Sequence, residues 1–175
     1  DFNLNLIKIR NKINIIYRNR NTTDKIQDLL SFRNNCKKRG VNFFVANDKK
    51  LLSKLNADGL YISAHNANLL LNNFSKSKYK IIGAAHNQKE VDIKIKQGCK
   101  TIIYSRLFRT GYDYKKGYLG VIKFNIISHR LKLNLVPLGG INEKNLCKLN
   151  SVVSNSFACL SAIKKKPAKI INRLF

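Results

Sequence analysis

Short apolar segments that favour β-strands alternate with helical segments along most of the chain, and no two strands are joined by a hairpin turn. Seven segments are predicted as strands, at residues 13–17, 41–46, 60–62, 80–83, 101–104, 135–138 and 157–160. Strands separated by helices pair in parallel, because each helical crossover returns the chain to the same edge of the sheet. The alternation therefore predicts an α/β fold with one parallel sheet.

Seven parallel strands fit a TIM-type (β/α)8 barrel better than an open sheet. The chain has 175 residues, begins at Asp1 and contains no methionine. We therefore expect its true start to be missing, and the first strand of the barrel to be missing or disordered. We predict a single domain over residues 1–175, which is long enough for one core. A flavodoxin-like open sheet, which needs fewer strands, is the structural alternative.

The helices between these strands are predicted from apolar periodicity and from capping residues. The first helix is expected to begin at Thr23 or Asp24 and to end at Gly40. A later helix is predicted with Asn142 as its N-cap and with Leu146 and Leu149 on its apolar face. Other helices are predicted at residues 50–55, 68–74, 88–96, from 119 onward and at 167–175.

Two turns of small residues follow the last two predicted strands, at Gly139-Gly140 and at Ser161-Ala162. Glycine has no Cβ, so its backbone N–H can approach an anion closely, and a helix N-terminus adds partial positive charge. The sequence therefore predicts that Gly139, Gly140 and Ser161 form one phosphate site. The alternative is that the glycines form only a tight turn and Ser161 only a helix cap.

The charge of the chain is strongly positive, with 34 Lys and Arg against 9 Asp and Glu, a formal net charge of +25. Such a charge favours polyanionic partners. The basic residues are scattered, however, and accompany many Asn and Ile residues, a composition that an A/T-rich genome also favours. Because no nucleic-acid-binding motif is present, we expect small phosphorylated substrates as partners and keep nucleic-acid binding as a distant alternative.

The four cysteines, Cys36, Cys99, Cys147 and Cys159, have no C-x-x-C pairing and no metal-site spacing with histidine. We expect buried, reduced thiols. No apolar run approaches the ~18 residues of a transmembrane helix, so we predict a cytoplasmic protein with no membrane contact. A homo-oligomer is possible.

Motifs at the strand ends, taken in order, resemble those of the thiamine phosphate synthase and TenI family of TIM barrels. Residues 17–20, YRNR, are similar to the family's LREK, and 47–49, NDK, to its NDD. Residues 57–66, ADGLYISAHN, are similar to ADGVHLGQED, and Gly98 to Thr110 to GADYIGLGPIYPT. The segment ending AAHN at 84–87 is similar to GVSTHN, and 138–141 and 160–163 to IGGI and VSAI. The resemblance covers nearly the whole chain.

This resemblance implies an enzyme that joins hydroxymethylpyrimidine pyrophosphate to a thiazole phosphate, with release of pyrophosphate and with Mg²⁺ as cofactor. The family residues that hold pyrophosphate and metal correspond to Arg18, Arg20, Asn47 and Asp48. Those that hold the thiazole phosphate correspond to Gly139, Gly140 and Ser161.

Several family residues are replaced where the chemistry occurs. Asn66 stands for the second metal-binding aspartate, so only weak metal binding is expected from Asp48 and Asn66. Ala84 stands for a serine that contacts pyrophosphate. Arg106 stands for the histidine with which the TenI branch isomerises a thiazole carboxylate phosphate, and arginine does not titrate near neutral pH.

Three functions remain open from the sequence. The first is a divergent synthase, which is the function we predict. The second is a TenI-like tautomerase in which His86 has been recruited as acid and base. The third is a phosphate-ligand binding protein without catalytic activity.

Overall fold

Six parallel strands form one sheet whose spatial order follows the chain order. The computed structural model describes residues 3–7, 10–18, 24–70, 79–111 and 117–165, without the side chains of residues 164 and 165. The strands are β1 (Asn14–Tyr17), β2 (Asn42–Ala46), β3 (Gly59–Ile62), β4 (Lys80–Ala85), β5 (Thr101–Ser105) and β6 (Asn134–Leu138). Each strand pairs in parallel with the next along the chain.

Helices connect most of these strands. They are α1 (Ile26–Lys38), α2 (Lys49–Lys54), α3 (Gln88–Lys96), α4 (Gly120–Leu131) and α5 (Ser161–Lys165), and 3₁₀ helices lie at Leu4–Leu6 and Leu146–Ser151. The predicted helices at residues 50–55 and 88–96 are confirmed, and the helix from 119 begins one residue later. The predicted helix at 167–175, and most of the one at 68–74, lie outside the described residues.

The two faces of the sheet pack into two separate apolar clusters. On one face, side chains from all six strands form a single cluster that includes Ile16, Phe44, Tyr61, Ile82, Ile103 and Val136. The opposite face contributes the alternate residues, such as Phe43, Leu60 and Ile102, to the larger cluster that the helices cover. One cluster shared by all six strands indicates a curled sheet with an inner and an outer face, as in a TIM-like α/β barrel. The predicted fold class is confirmed.

The seventh predicted strand, at residues 157–160, is wrong in extent. Within the described part of the chain only Ala158 pairs there, through one parallel bridge to Leu138. Its backbone N–H donates to the Pro137 carbonyl oxygen at 2.9 Å. The bridge continues the order of the sheet beyond β6, but one pair does not make a strand.

Two predicted helix caps are also wrong. Asp24 does not cap α1, because its carboxylate accepts a 2.6 Å hydrogen bond from the Tyr17 hydroxyl, and the N-cap position falls on Lys25. Asn142 does not cap a long helix, because it bonds to Lys144 and Gly140 within its own turn. The α1 terminus agrees with the prediction, since Gly40 follows it with a positive φ of 66°.

An ion pair joins α1 to the amino end of β3. The Arg33 guanidinium donates to Asp58 at 2.9 Å, and the second oxygen of Asp58 accepts from the Phe43 N–H at 2.7 Å. Arg33 is buried, and it also donates to the Asn56 carbonyl oxygen. Asp58 is therefore committed to the fold, at the edge of the sheet opposite the strand ends where the predicted site residues lie.

Candidate active site

The carboxyl ends of the six parallel strands meet at one edge of the sheet, and the predicted site residues follow these ends. Arg18 follows β1, Asn47 and Asp48 follow β2, Asn66 lies in the loop after β3, His86 follows β4, Gly139 and Gly140 follow β6, and Ser161 lies three residues after the bridging Ala158. Arg20 lies outside the described residues. The structure thus brings every described member of the predicted set to one edge.

Asn47 connects the loops that follow β2 and β3. It has a positive φ of 58°, a conformation that asparagine adopts more readily than most residues. Its Oδ1 accepts from the Ser63 N–H at 3.0 Å and from Asn66 Nδ2 at 3.1 Å, and its own Nδ2 donates to Ser63 Oγ at 3.0 Å. Asn47, Ser63 and Asn66 therefore form a hydrogen-bonded unit, which we call the asparagine network.

Asp48 and Asn66 are the two residues predicted to hold metal, and both already make local hydrogen bonds. One carboxylate oxygen of Asp48 caps α2 by accepting from the Leu51 N–H at 2.9 Å. The Asn66 side chain donates to Asn47 and accepts from the Asn68 N–H at 3.1 Å. Asp48 is exposed and its second oxygen accepts no hydrogen bond from the described residues, so it can take a further ligand.

The donor set fits Mg²⁺ only with oxygen ligands from a substrate. Among the described residues, no group of three His, Cys, Asp or Glu side chains is placed to hold a metal ion. Mg²⁺ often binds through one or two carboxylates while keeping waters and substrate phosphate oxygens. Asp48 can serve as that carboxylate.

The Gly139-Gly140 turn requires glycine at both positions, with φ angles of 102° and 69°. A Cβ on Gly140 would lie 2.4 Å from the Arg109 carbonyl oxygen, and a Cβ on Gly139 would lie 2.7 Å from Arg106 Cγ. The Gly139 carbonyl accepts from the Phe108 N–H at 3.0 Å. The Gly140 carbonyl accepts from the side chains of Asn142 and Asn145. Both carbonyls are thus held by the protein.

The side chain of Arg106 packs directly against this turn. Its side-chain stem packs on Gly139, and its Nη1 donates to Thr110 Oγ1 at 3.2 Å. The side chain is half-buried. From the sequence, Arg106 counted only as the loss of a titratable residue. The structure shows the stem of this arginine beside the predicted phosphate turn, a location that its position directly after a strand could have suggested.

His86 lies close to a second imidazole and to a hydroxyl group. Its Nδ1 lies 2.7 Å from Ser105 Oγ, and its ring centroid lies 6.2 Å from that of His65. Its backbone N–H donates to Glu90, which fixes the start of α3. An imidazole oriented by a neighbouring hydroxyl can donate or accept a proton at this edge.

Lys94 was not singled out from the sequence, yet it is fully buried. It lies on α3 three residues after the buried Val91, on the side of the helix that packs against β4. Burial lowers the pKa of Lys94, while the nearby Cys99 and Glu90 act in the opposite direction. The signal in the sequence was a lysine at a helical position that apolar residues normally occupy.

The four cysteines are free thiols. Cys36 and Cys99 are buried as predicted, whereas Cys147 is exposed, so the prediction of burial is wrong for that residue. Burial raises the pKa of Cys36 to about 11 and that of Cys99 to about 12. These two thiols are therefore protonated near neutral pH, which argues against a nucleophilic role.

The described helices include none with the length and apolar character needed to cross a membrane.

Comparisons of the sequence with a family model and with curated proteins point to the same enzyme family. The model of the thiamine monophosphate synthase family matches residues 3–163. A thiamine-phosphate synthase of Prochlorococcus marinus subsp. pastoris is 25% identical over 144 residues, which cover 82% of this chain and 41% of that protein. The same enzyme of another Prochlorococcus marinus strain is 26% identical over 152 residues, covering 85% and 44%. The chain thus spans about two fifths of the length of these curated relatives.

Solved structures show the same fold. The thiamine phosphate pyrophosphorylase of Pyrococcus furiosus superposes with a TM-score of 0.69 at 16% identity, covering 93% of this chain and 83% of that one. The 3-keto-L-gulonate-6-phosphate decarboxylase of Vibrio cholerae superposes with a TM-score of 0.54, also at 16% identity, covering 86% and 80%. The fold and the family model, which spans the sheet and every described strand end, agree: the chain belongs to the thiamine monophosphate synthase family.

Proposed function

We propose that the chain is a divergent thiamine phosphate synthase, which joins hydroxymethylpyrimidine pyrophosphate to a thiazole phosphate. In this reaction the bond between the pyrimidine methylene carbon and the pyrophosphate oxygen breaks, and its electron pair leaves with pyrophosphate. The thiazole nitrogen then donates its lone pair to the resulting carbocation. No oxidant or reductant is needed. Family membership and the collection of polar residues at one edge of the sheet support this proposal.

The observation that carries the proposal is the Gly139-Gly140 turn. Both positions exclude a side chain, and the carbonyls of the turn are held by the protein. We propose that the N–H groups of the turn bind the thiazole phosphate, together with Ser161 at the start of α5. Arg106 adds a charge-assisted contact to the same phosphate.

The other half of the proposed site binds the pyrophosphate. Arg18 is exposed at the end of β1, and Arg20 follows it by two residues in the sequence. We propose that both arginines act as fixed cations for the leaving group, where negative charge develops during the reaction. Asp48 would hold Mg²⁺ in company with pyrophosphate oxygens, and the ion would supply further positive charge to the departing group. Asn47 fixes the loops on which Asp48 and Asn66 stand.

The high positive charge of the chain fits this proposal, because both substrates are anions. A net charge of +25 attracts anionic small molecules over long distances, with nucleic-acid binding as a non-specific and salt-sensitive side effect. The single domain, the cytoplasmic location and the possible homo-oligomer expected from the sequence belong to the same proposal.

A second candidate function is a TenI-like tautomerase. The contact of His86 Nδ1 with Ser105 Oγ favours it, because that contact holds an imidazole at the strand ends. In this case His86 would act as the acid and base that moves a proton from one atom of the thiazole carboxylate phosphate to another. Pyrophosphate would take no part in the reaction. His86→Gln should then abolish isomerisation while leaving phosphate binding intact.

The direct test incubates the purified chain with both substrates over a range of Mg²⁺ concentrations and measures thiamine phosphate by chromatography. We expect product whose formation requires Mg²⁺. Failure to form product at any Mg²⁺ concentration, with intact binding of the thiazole phosphate, would replace the synthase by a phosphate-ligand binding protein.

A further inference from the structure

The buried ammonium of Lys94 is surrounded by neutral acceptors. Its Nζ donates to the Asn66 carbonyl oxygen at 2.7 Å and to Gln97 Oε1 at 2.9 Å. Among the described residues, the ion pair between Arg33 and Asp58 is the only salt bridge, so no carboxylate lies at ion-pair distance from Lys94. Burial of a polar group costs free energy unless it is hydrogen-bonded, so these two contacts offset part of the cost of burying Lys94.

Gln97 strengthens the same attachment. Its Nε2 donates to the Asn66 carbonyl oxygen at 2.9 Å and to the Asn68 carbonyl oxygen at 3.0 Å. The Asn66 carbonyl therefore receives two donors, one from α3 and one from the residue that caps its C-terminus. Both Lys94 and Gln97 are fully buried, and no buried side-chain nitrogen or oxygen in the described part of the chain lacks a partner. Together the two side chains fasten the loop after β3 to α3.

The aliphatic stem of Lys94 packs closely against Gly83 of β4. A Cβ on Gly83 of β4 would lie 3.0 Å from both Lys94 Cγ and Lys94 Cδ, and also 3.0 Å from Cys99 Sγ. The absence of a side chain on Gly83 thus lets the stem pass close to the strand. This packing fixes where the ammonium can reach.

The fastened loop carries a residue of the candidate site. The backbone of Asn66 is held by Lys94 and Gln97, while its side chain donates to Asn47 Oδ1 at 3.1 Å. Asn47 in turn holds Ser63 and directly precedes Asp48. A continuous set of hydrogen bonds therefore runs from the buried ammonium to the asparagine network.

We propose that Lys94, with Gln97, is a positioning residue for the pyrophosphate half of the site. It acts through the Asn66 carbonyl, and so sets the loop that supports Asn66 and Asn47. This inference rests on the proposed function. It predicts that the loss of Lys94 weakens pyrophosphate binding selectively, because Lys94 bonds to Asn66 and Gln97, whereas the glycine turn proposed for the thiazole phosphate follows β6.

The test compares Lys94→Met with Lys96→Met, which removes an exposed lysine from the same helix. Calorimetry measures binding of inorganic pyrophosphate with Mg²⁺, and separately of thiazole phosphate, to each full chain. We expect Lys94→Met to weaken pyrophosphate binding about tenfold or more, as is common when a residue that orients a metal-site ligand is removed. Thiazole phosphate binding should stay unchanged, and Lys96→Met should change neither affinity strongly.

A double-mutant cycle with Asn66→Asp separates positioning from charge. If Lys94 positions Asn66, the gain in Mg²⁺ affinity from Asn66→Asp should shrink in the Lys94→Met background, because the new carboxylate is no longer well placed. If Lys94 acts only through its charge, that gain should instead grow, because an attracting ammonium has been removed. Growth of the gain would overturn the inference.

Other outcomes are equally decisive. Absence of pyrophosphate binding in the unmodified chain overturns the proposed function, and this inference with it. Normal binding that is insensitive to Lys94→Met, or an equal loss for both ligands, overturns the inference alone. Should Lys94→Met fail to fold, Gln97→Leu carries the same comparison, and failure of both to fold would show that the pair serves the fold and not the site.

Discussion

The glycine turn after β6 and the asparagine network after β2 and β3, which form the two halves of the proposed site, are built in different ways. The turn uses backbone geometry, since Gly139 and Gly140 adopt positive φ angles and exclude any Cβ. The network uses side-chain amides, in which Asn47, Ser63 and Asn66 bind one another. Asp48 adds a carboxylate to that half.

The two halves also differ in how strongly their chemistry depends on the identity of each side chain. A backbone site depends on few side chains, because the N–H groups that it uses are present in every residue but proline, provided that the two glycines allow the turn. A side-chain site changes its chemistry with each substitution. Asn66 is an example, because the family resemblance leads one to expect a carboxylate at this position. We therefore expect mutations at the two halves to have separable effects.

The largest effect should come from Asp48, if it is the carboxylate that holds Mg²⁺. Asp48→Ser keeps a residue that caps α2 but removes the charge, so turnover should fall by about three orders of magnitude with little change in stability. Asp48→Ala should lose the same activity and also about 1 kcal/mol of stability, because the cap is lost. Thiamine phosphate formation and thermal unfolding measure the two effects. Activity retained in Asp48→Ser would show that the capping bond was the residue's only role.

The next effect tests the glycine turn. Gly140→Ala places a Cβ 2.4 Å from the Arg109 carbonyl oxygen at a φ of 69°, so the turn has to move. Strain of about 3 kcal/mol corresponds to roughly a hundredfold loss of thiazole phosphate affinity. The control is Gly111→Ala, since a Cβ there meets nothing within 4 Å. Equal calorimetric affinities for the two variants would refute the backbone site.

A smaller effect is expected from Arg106, the cation beside that turn. Arg106→Met keeps most of the stem that packs on Gly139 but removes the guanidinium, and a charge-assisted hydrogen bond contributes about tenfold in affinity. Arg109→Met, which removes an exposed neighbouring arginine, should have a weaker effect that vanishes as salt is raised. If both variants respond equally, Arg106 contributes only general charge.

The smallest effect concerns Asn66. Asn66→Asp should raise Mg²⁺ affinity in the presence of pyrophosphate about fivefold, or roughly 1 kcal/mol, because a carboxylate is a better ligand than an amide. The gain is limited because the substitution also removes the hydrogen bond from Asn66 to Asn47. Titration of Mg²⁺ by calorimetry measures it, and a fall in affinity would mean that the asparagine network matters more than the added charge.

The sheet could be predicted from the sequence because its signals are local. Strands such as β2 and β5 are continuous apolar runs, and their length and order suffice for a parallel α/β fold. The segment at 157–160 has the same local character, but it pairs only at Ala158, and pairing depends on what lies beside it. A local apolar pattern shows that a segment favours the extended conformation. It does not show how many of its residues find a neighbouring strand to pair with.

The candidate site could be predicted only where local chemistry decides it. The glycine turn follows from a lack of Cβ, whereas the Asp24 carboxylate bonds to Tyr17 instead of capping α1, a competition between distant groups. Lys94 could not be assigned for the same reason, because its partner is the Asn66 carbonyl 28 residues away. Contacts that join different loops leave no periodic trace in a sequence.

The asparagine network has a consequence for how the protein responds to acid and alkali. Amide and hydroxyl groups neither gain nor lose protons over the range in which proteins stay folded, so the side chains of Asn47, Ser63 and Asn66 do not change charge with pH. If position 66 carried a carboxylate, it would repel that of Asp48 in the absence of metal. A proton or a cation would then be needed to offset the repulsion. This part of the candidate site therefore forms from neutral side chains, which need neither a metal ion nor a proton to offset their charges.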